Sequence, residues 1–264
     1  MLVASFKLNN TIRCFAIAKF MTSPKQSNVG ELQRRLRESA TVPKSKHGYF
    51  FRTGPGEYAE HDRFLGVTNP VVREIAKDGK NLDINEVRTI LESKYNEERF
   101  LALVILVDKY KSGDSLTQDA IYKLYLENTQ HVNNWNLVDT SAHLIVGPHL
   151  LNRDRSILSS LASSSMLWER RIAIVATLHF IRNNDLEWTF KLATQLLGDE
   201  HDLMHKAVGW MLREAGKKDT KKLLGFLDLH APFMPRTMLR YSIEKLTPAQ
   251  KKLYMNKTNA ATTK

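Results

Sequence analysis

Asp139 is the residue whose surroundings most plainly require an explanation. It follows Trp135 by one helical turn, so the carboxylate and the indole project from one face. Its neighbours Leu137, Val138, Ala142, Leu144, Ile145 and Val146 are apolar. A carboxylate among them needs either a partner or a task. Two readings fit. In the first, Asp139 caps a loop or pairs with an arginine. In the second, it stabilises cationic charge developing at a sugar carbon. Glycosidic cleavage passes through an oxocarbenium-like state, and a fixed carboxylate beside it lowers the barrier.

Other side chains recur at intervals that bring them towards Asp139. Arg99, Trp135 and Arg171 are spaced by 36 and 36 residues, and Trp210 follows 39 later. Carried by equivalent helices of a repeat, such a row lines one groove. Guanidinium groups there pair with phosphates, and indoles stack on bases or sugars. The competing reading for the tryptophans is plain core packing. Lys206 and Arg213 share a helix with Trp210 and read either as phosphate contacts or as a solvated basic face. Arg170, beside Arg171, is a further DNA-binding candidate.

Several chemistries are disfavoured. His201 and His205 have the i, i+4 spacing of a metal site, but Asp202 stands where a metalloprotease signature needs glutamate. Solvation or helix capping is preferred for them, and no metal is assigned. Gly54-Pro55-Gly56 lacks the downstream lysine or third glycine of a phosphate loop. Ser163-Ser164-Ser165 reads as an interhelical linker. The lone cysteine, Cys14, excludes intrachain disulfides and multi-cysteine zinc sites.

The charge balance points to a polyanionic partner. The chain carries a formal net charge of +11, which suits nucleic acid or an acidic membrane surface. The first thirty residues include Lys7, Arg13, Lys19 and Lys25 and no acidic residue. With Phe6, Phe15 and Phe20 among them they resemble a mitochondrial transit peptide, the alternative being a disordered basic leader. The expected division is a basic leader with a first helix over 1–46, the main domain over 47–255, and a disordered tail over 256–264. The expected compartment is intracellular: cytoplasm, nucleus or mitochondrion.

The elements that must position these residues are helices. The segment 48–66 is rich in glycine and aromatic residues, with Thr53-Gly54-Pro55-Gly56 as a turn signal. Asn69-Pro70 opens a helix, with proline where its missing donor costs nothing. Asp83 opens another, carrying Ile84, Val87, Ile90 and Leu91 at helical spacing. The pattern predicts further helices over 97–110, 117–126, 132–146, 153–161, 167–181, 186–197, 203–215, 218–227 and 236–245. Glu98-Arg99-Phe100-Leu101-Ala102 is similar to Glu169-Arg170-Arg171-Ile172-Ala173 at an offset of 71, close to two periods of roughly 35 residues. One helix pair per period predicts an all-α, HEAT-like helical-repeat solenoid with a concave basic groove.

These motifs together resemble the AlkD-type DNA alkylation repair glycosylases. Asn134-Trp135-Asn136-Leu137-Val138-Asp139 is similar to the helix carrying that family's catalytic aspartate. Leu167-Trp168-Glu169-Arg170-Arg171-Ile172-Ala173-Ile174 is similar to the helix supplying an active-site arginine. His205-Lys206-Ala207-Val208-Gly209-Trp210-Met211-Leu212-Arg213-Glu214 is similar to a motif with a second groove tryptophan, and Phe64-Leu65-Gly66-Val67 to the lead-in motif. The resemblance spans about residues 48 to 254. It implies a fold that grips duplex DNA and removes cationic bases such as 3-methyladenine and 7-methylguanine, without a base-flipping pocket. It implies that Asp139 orients water and stabilises the sugar cation. Trp135 and Trp210 would pack against the lesion nucleotide, and Arg171 would hold a nearby phosphate.

One departure stands out: Asn136 occupies a position that is often acidic in relatives, and it is expected to neighbour Asp139 on the helix surface. No cofactor is implied, since the hydrolysis uses water. The expected partner is duplex DNA containing alkylated purines, with no membrane and a monomeric protein. The alternatives are a non-catalytic DNA-binding paralogue and a protein-interaction scaffold. The joint presence of Trp135, Asp139, Arg171 and Trp210 favours the enzyme.

Overall fold

A computed structural model describes residues 28–43 and 49–257. Residues 1–27, including Cys14 and the basic residues of the expected leader, lie outside the described residues. So do His47, Gly48 and the tail from 258 onward.

The described chain is all helix, with no strand beyond an isolated bridge between Arg63 and Tyr95. The helices are α1 (Val29–Glu38), α2 (Asn69–Ala76), α3 (Ile84–Leu91), α4 (Asn96–Ser112), α5 (Ser115–Glu127), α6 (Trp135–Leu150), α7 (Ser156–Ala162), α8 (Leu167–Arg182), α9 (Glu187–Gln195), α10 (Asp202–Lys218), α11 (Thr220–His230), α12 (Arg236–Ser242) and α13 (Pro248–Met255). Their starts follow from local chemistry. Asp83 and Glu86 form a reciprocal capping box at α3, both bonds at 2.8 Å. Asp114 and Asp219 cap α5 and α11 through the backbone N–H groups of Thr117 and Lys222. Pro70 and Pro248 sit in the first turns of α2 and α13.

The helices α4, α6, α8 and α10 pack in succession, with the shorter helices against them, as the repeat predicts. Phe100–Val107 of α4 and Arg171–Leu178 of α8 are buried without interruption. Such helices are enclosed on all sides, so they lack a strong apolar stripe. No described helix is long and apolar enough to cross a membrane.

The first helix packs into this same core. Leu32 and Leu36 are fully buried and α1 packs on α2 and α3. Three consecutive charged residues of α4 then tie separate segments together. The Glu97 carboxylate accepts the backbone N–H groups of Leu65, Gly66 and Val67 at 2.9, 2.8 and 3.3 Å. Glu98 accepts from Gln33 and Arg37 of α1 and from Ser93. Arg99 pairs with Asp62. Gly66 completes the lead-in turn: its φ is +96° and its carbonyl accepts the N–H groups of Thr41 and Val42.

Close approach of α10 to α12 depends on Gly209. A Cβ there would lie 2.5 Å from Tyr241 Cβ and 2.6 Å from the Met238 carbonyl oxygen. Helix propensity favours alanine by about 1 kcal/mol, but overpacking against backbone costs about 1–3 kcal/mol. Gly209→Ala is therefore expected to lower stability, with thermal denaturation as the check. An unchanged melting temperature would mean that the two helices separate without cost.

Candidate active site and nucleic-acid interface

Trp135, Asp139, Arg171 and Trp210 come together on α6, α8 and α10 around one cleft of about 570 Å³. Asp139 has the arginine partner that its apolar setting demanded. Arg171 Nε donates to Oδ1 and Nη2 to Oδ2, both at 2.8 Å, and Nη1 donates to the Leu203 carbonyl at 2.6 Å. This bidentate clamp fixes the orientation of both carboxylate oxygens. Arg171 is itself buried, and each of its three side-chain nitrogens already donates to Asp139 or to Leu203. Both tryptophans are half-buried, each with one part against the core and another in the cleft.

Lys206 and Arg213 also line the cleft. Lys206 bonds Asp202 at 2.7 Å, and that bond holds the Asp202 carboxyl below its ordinary range. Arg213 lies between Glu214 and Glu244.

Arg99 and Arg170 are not in the cleft. Arg99 Nη1 donates to the carbonyl of Ser93, six residues earlier, and the side chain pairs with Asp62. Arg170 Nη1 donates to the carbonyl of Ser164, also six residues earlier, and Nε donates to Asp199 at 2.6 Å. The two are repeat equivalents at the offset of 71, and both anchor the loop preceding their helix. The 36-residue row was out of register: Arg99 matches Arg170, not Arg171. One residue turns a helix by about 100°, which takes Arg99 off the face that Asp139 addresses.

Asn136 likewise turns away from Asp139. It is buried and donates to Asn96 Oδ1 at 2.8 Å. Asn96 in turn donates to Asp62 at 2.9 Å, and Asn134, the N-cap of α6, donates to Asp62 at 2.6 Å. Asp62 thus joins the start of α4, the start of α6 and the segment 49–67.

That segment supplies the wall that sequence reasoning did not assign to the site. Phe51 stacks on Trp135 at 5.2 Å and on Phe64 at 4.6 Å, and Phe50 meets Trp135 edge-on at 5.6 Å. Arg52 and Tyr58 line the same cleft. Burial pushes the Tyr58 hydroxyl up, opposed by Trp135 and by the charges of Arg52 and Lys206. The aromatic richness of 48–66 was the available signal, but its partner was not. His201 caps α10: its Nδ1 accepts the Leu203 N–H at 3.1 Å, which puts the proton of the neutral ring on Nε2. Burial, first, keeps His201 below its ordinary value.

A family profile described as DNA alkylation repair enzyme matches residues 32–246. The chain belongs to the DNA alkylation repair enzyme family. A solved structure described as a predicted DNA alkylation repair enzyme from Enterococcus faecalis shares the fold. Its TM-score is 0.61 at 14% identity, covering 78% of this chain and 95% of that one. No curated protein matches the chain. The profile begins at Leu32, inside α1, so most of the first helix falls within the region this repair family shares.

Two measurements probe the frame of the site. Asp62 and Arg99 are almost wholly buried, and breaking such a pair costs about 3–5 kcal/mol. Asp62→Ala should lose that much stability and redden tryptophan emission as the Phe51–Trp135 stack loosens. Unchanged emission would separate the wall from Asp62. His143 lies one turn beyond Asp139. Burial, and then Arg182, lower its imidazole from 6.5 to about 4. The unfolded chain takes up this proton near its ordinary value and the folded chain only near 4. The unfolded state therefore binds more protons in that window, and stability falls as pH drops from about 6.5 to about 4. His143→Gln should flatten this limb in urea midpoints measured at pH 7 and 4.5. An equal fall in both proteins would move the acid sensitivity elsewhere.

Proposed function

We propose that the protein is a DNA glycosylase that hydrolyses the N-glycosidic bond of cationic alkylated purines, such as 3-methyladenine and 7-methylguanine, in duplex DNA. The observation that carries this reading is the Asp139 carboxylate, clamped by Arg171 in a cleft that both Trp135 and Trp210 line. An N-alkylated purine is already positively charged and leaves as a neutral base. No general acid is then required at the base. The demand falls on the sugar, whose anomeric carbon becomes cationic as the bond lengthens.

Asp139 is the negative group for that cation, and its fixed orientation avoids reorganisation during the reaction. It also orients the water that adds to the anomeric carbon; the carbon–oxygen bond forms, the carbon–nitrogen bond breaks, and the water's proton passes to the carboxylate or to solvent. The indole faces of Trp135 and Trp210 favour a cationic sugar over a neutral one. Lys206 and Arg213 exchange their carboxylate partners for backbone phosphates. The cleft works on the deoxyribose and backbone, so the lesion base need not enter a pocket. This reading places the protein in base excision repair.

Release of free base from methylated duplex DNA tests the proposal. Wild type should release methylated purine. Asp139→Asn should bind the duplex yet lose at least about a hundredfold in rate, the scale of removing one fixed electrostatic group. No release by wild type, with duplex binding retained, would make the protein a non-catalytic DNA-binding relative. Equal release by Asp139→Asn would remove the aspartate from the chemistry.

A further inference from the structure

Arg52 stands in the cleft wall with a backbone that its side chain disfavours. Its φ is +55°, in the left-handed region that residues other than glycine seldom occupy. The conformation is locked from two sides. The Ala59 N–H donates to the Arg52 carbonyl at 3.3 Å. The Glu57 carboxylate accepts the Gly54 N–H on Oε2 at 2.9 Å and Arg52 Nε on Oε1 at 3.1 Å. Glycine would hold this turn without steric cost, so the backbone itself gives no reason for an arginine here. Backbone strain kept at a cleft is a pointer to function.

The guanidinium is held by one edge only. Nε is fixed by Glu57, the side chain is 67% exposed, and Nη1 and Nη2 have no hydrogen bond among the described residues. Both other arginines of the cleft are more heavily committed, and its lysine, like Arg52, has a carboxylate partner. Arg171 spends three nitrogens on Asp139 and Leu203. Lys206 is bonded to Asp202 and Arg213 to two glutamates. A guanidinium oriented through Nε, with its terminal nitrogens open, matches the paired oxygens of a phosphate.

We propose that Arg52 is a phosphate-binding residue whose terminal nitrogens take a phosphodiester of the duplex at the mouth of the cleft. It is contributed by an element separate from the helix bearing Lys206 and Arg213. The exposed ring of Phe50, two residues earlier, edges Trp135, so the same wall offers a charge for the backbone and an aromatic face for the sugar or base. Glu57 and the Gly54 turn then position the arginine before DNA arrives, which lowers the ordering cost of binding. This inference rests on the duplex-DNA reading of the cleft.

The test uses the full chain and its Arg52→Gly and Arg52→Lys variants, with an unmodified labelled duplex followed by fluorescence anisotropy across a salt series. Arg52→Gly should melt at or above the wild-type temperature, because glycine accepts the positive φ. Its affinity should fall about tenfold at moderate salt, and its log–log salt slope should become shallower by about one. Arg52→Lys should restore the slope but only part of the affinity. Unchanged affinity and slope in Arg52→Gly would overturn the proposal, and a lowered melting temperature alongside would make Arg52 a structural brace. Wild type with no affinity for duplex would remove both this assignment and the reading beneath it, whereas salt-dependent wild-type binding with an indifferent glycine variant would remove Arg52 alone.

Discussion

The site depends on a buried carboxylate that is not itself in the cleft. Asp62 accepts from Arg99, Asn96 and Asn134 and so holds the starts of α4 and α6 to the segment 49–67. A carboxylate removed from water is tolerable only when its acceptor sites are filled by charged or polar donors. Arg99 supplies the charge and the two asparagines supply the rest. Once this cluster forms, Trp135 at the start of α6 has a fixed height, and Phe51 can stack on it. One desolvated interaction therefore sets both the helix that carries Asp139 and the wall facing it.

The same economy recurs two periods on. Arg170 binds Asp199 and the carbonyls of Ser164 and Ser165, as Arg99 binds Asp62 and the Ser93 carbonyl. Arginine suits this task because its fork of donors reaches a carboxylate and a carbonyl at once. Arg171, one residue further round the helix, uses the same fork on Asp139 and Leu203. Adjacent arginines of identical chemistry thus serve a loop anchor and a functional carboxylate, and only helical phase separates the roles.

The cleft combines electrostatic readiness with restraint. Its cations carry carboxylate partners in the free protein, so their charge does not repel itself. The Lys206–Asp202 pair is exposed, and ion pairs of that kind are weak. Asp139 is held differently: its clamp is bidentate, and the arginine that makes it is buried.

Much of this was legible in the sequence. The helix start at Asp83 follows from its side chain capping a backbone donor nearby. The repeat of Glu98-Arg99 at Glu169-Arg170 gave away the stacked pairs, because equivalent packing needs equivalent residues. The apolar neighbours of Asp139 announced that it needed a partner. Tertiary structure alone decided what lay beyond local reach: which arginine partners Asp139, that Asn136 turns towards Asn96, that α1 joins the core, and that the 49–60 segment closes over Trp135. Spacing along a chain fixes helical phase only within one helix. Between repeats, a loop longer or shorter by one residue rotates the next helix by about 100°, and only the packed structure reports the result.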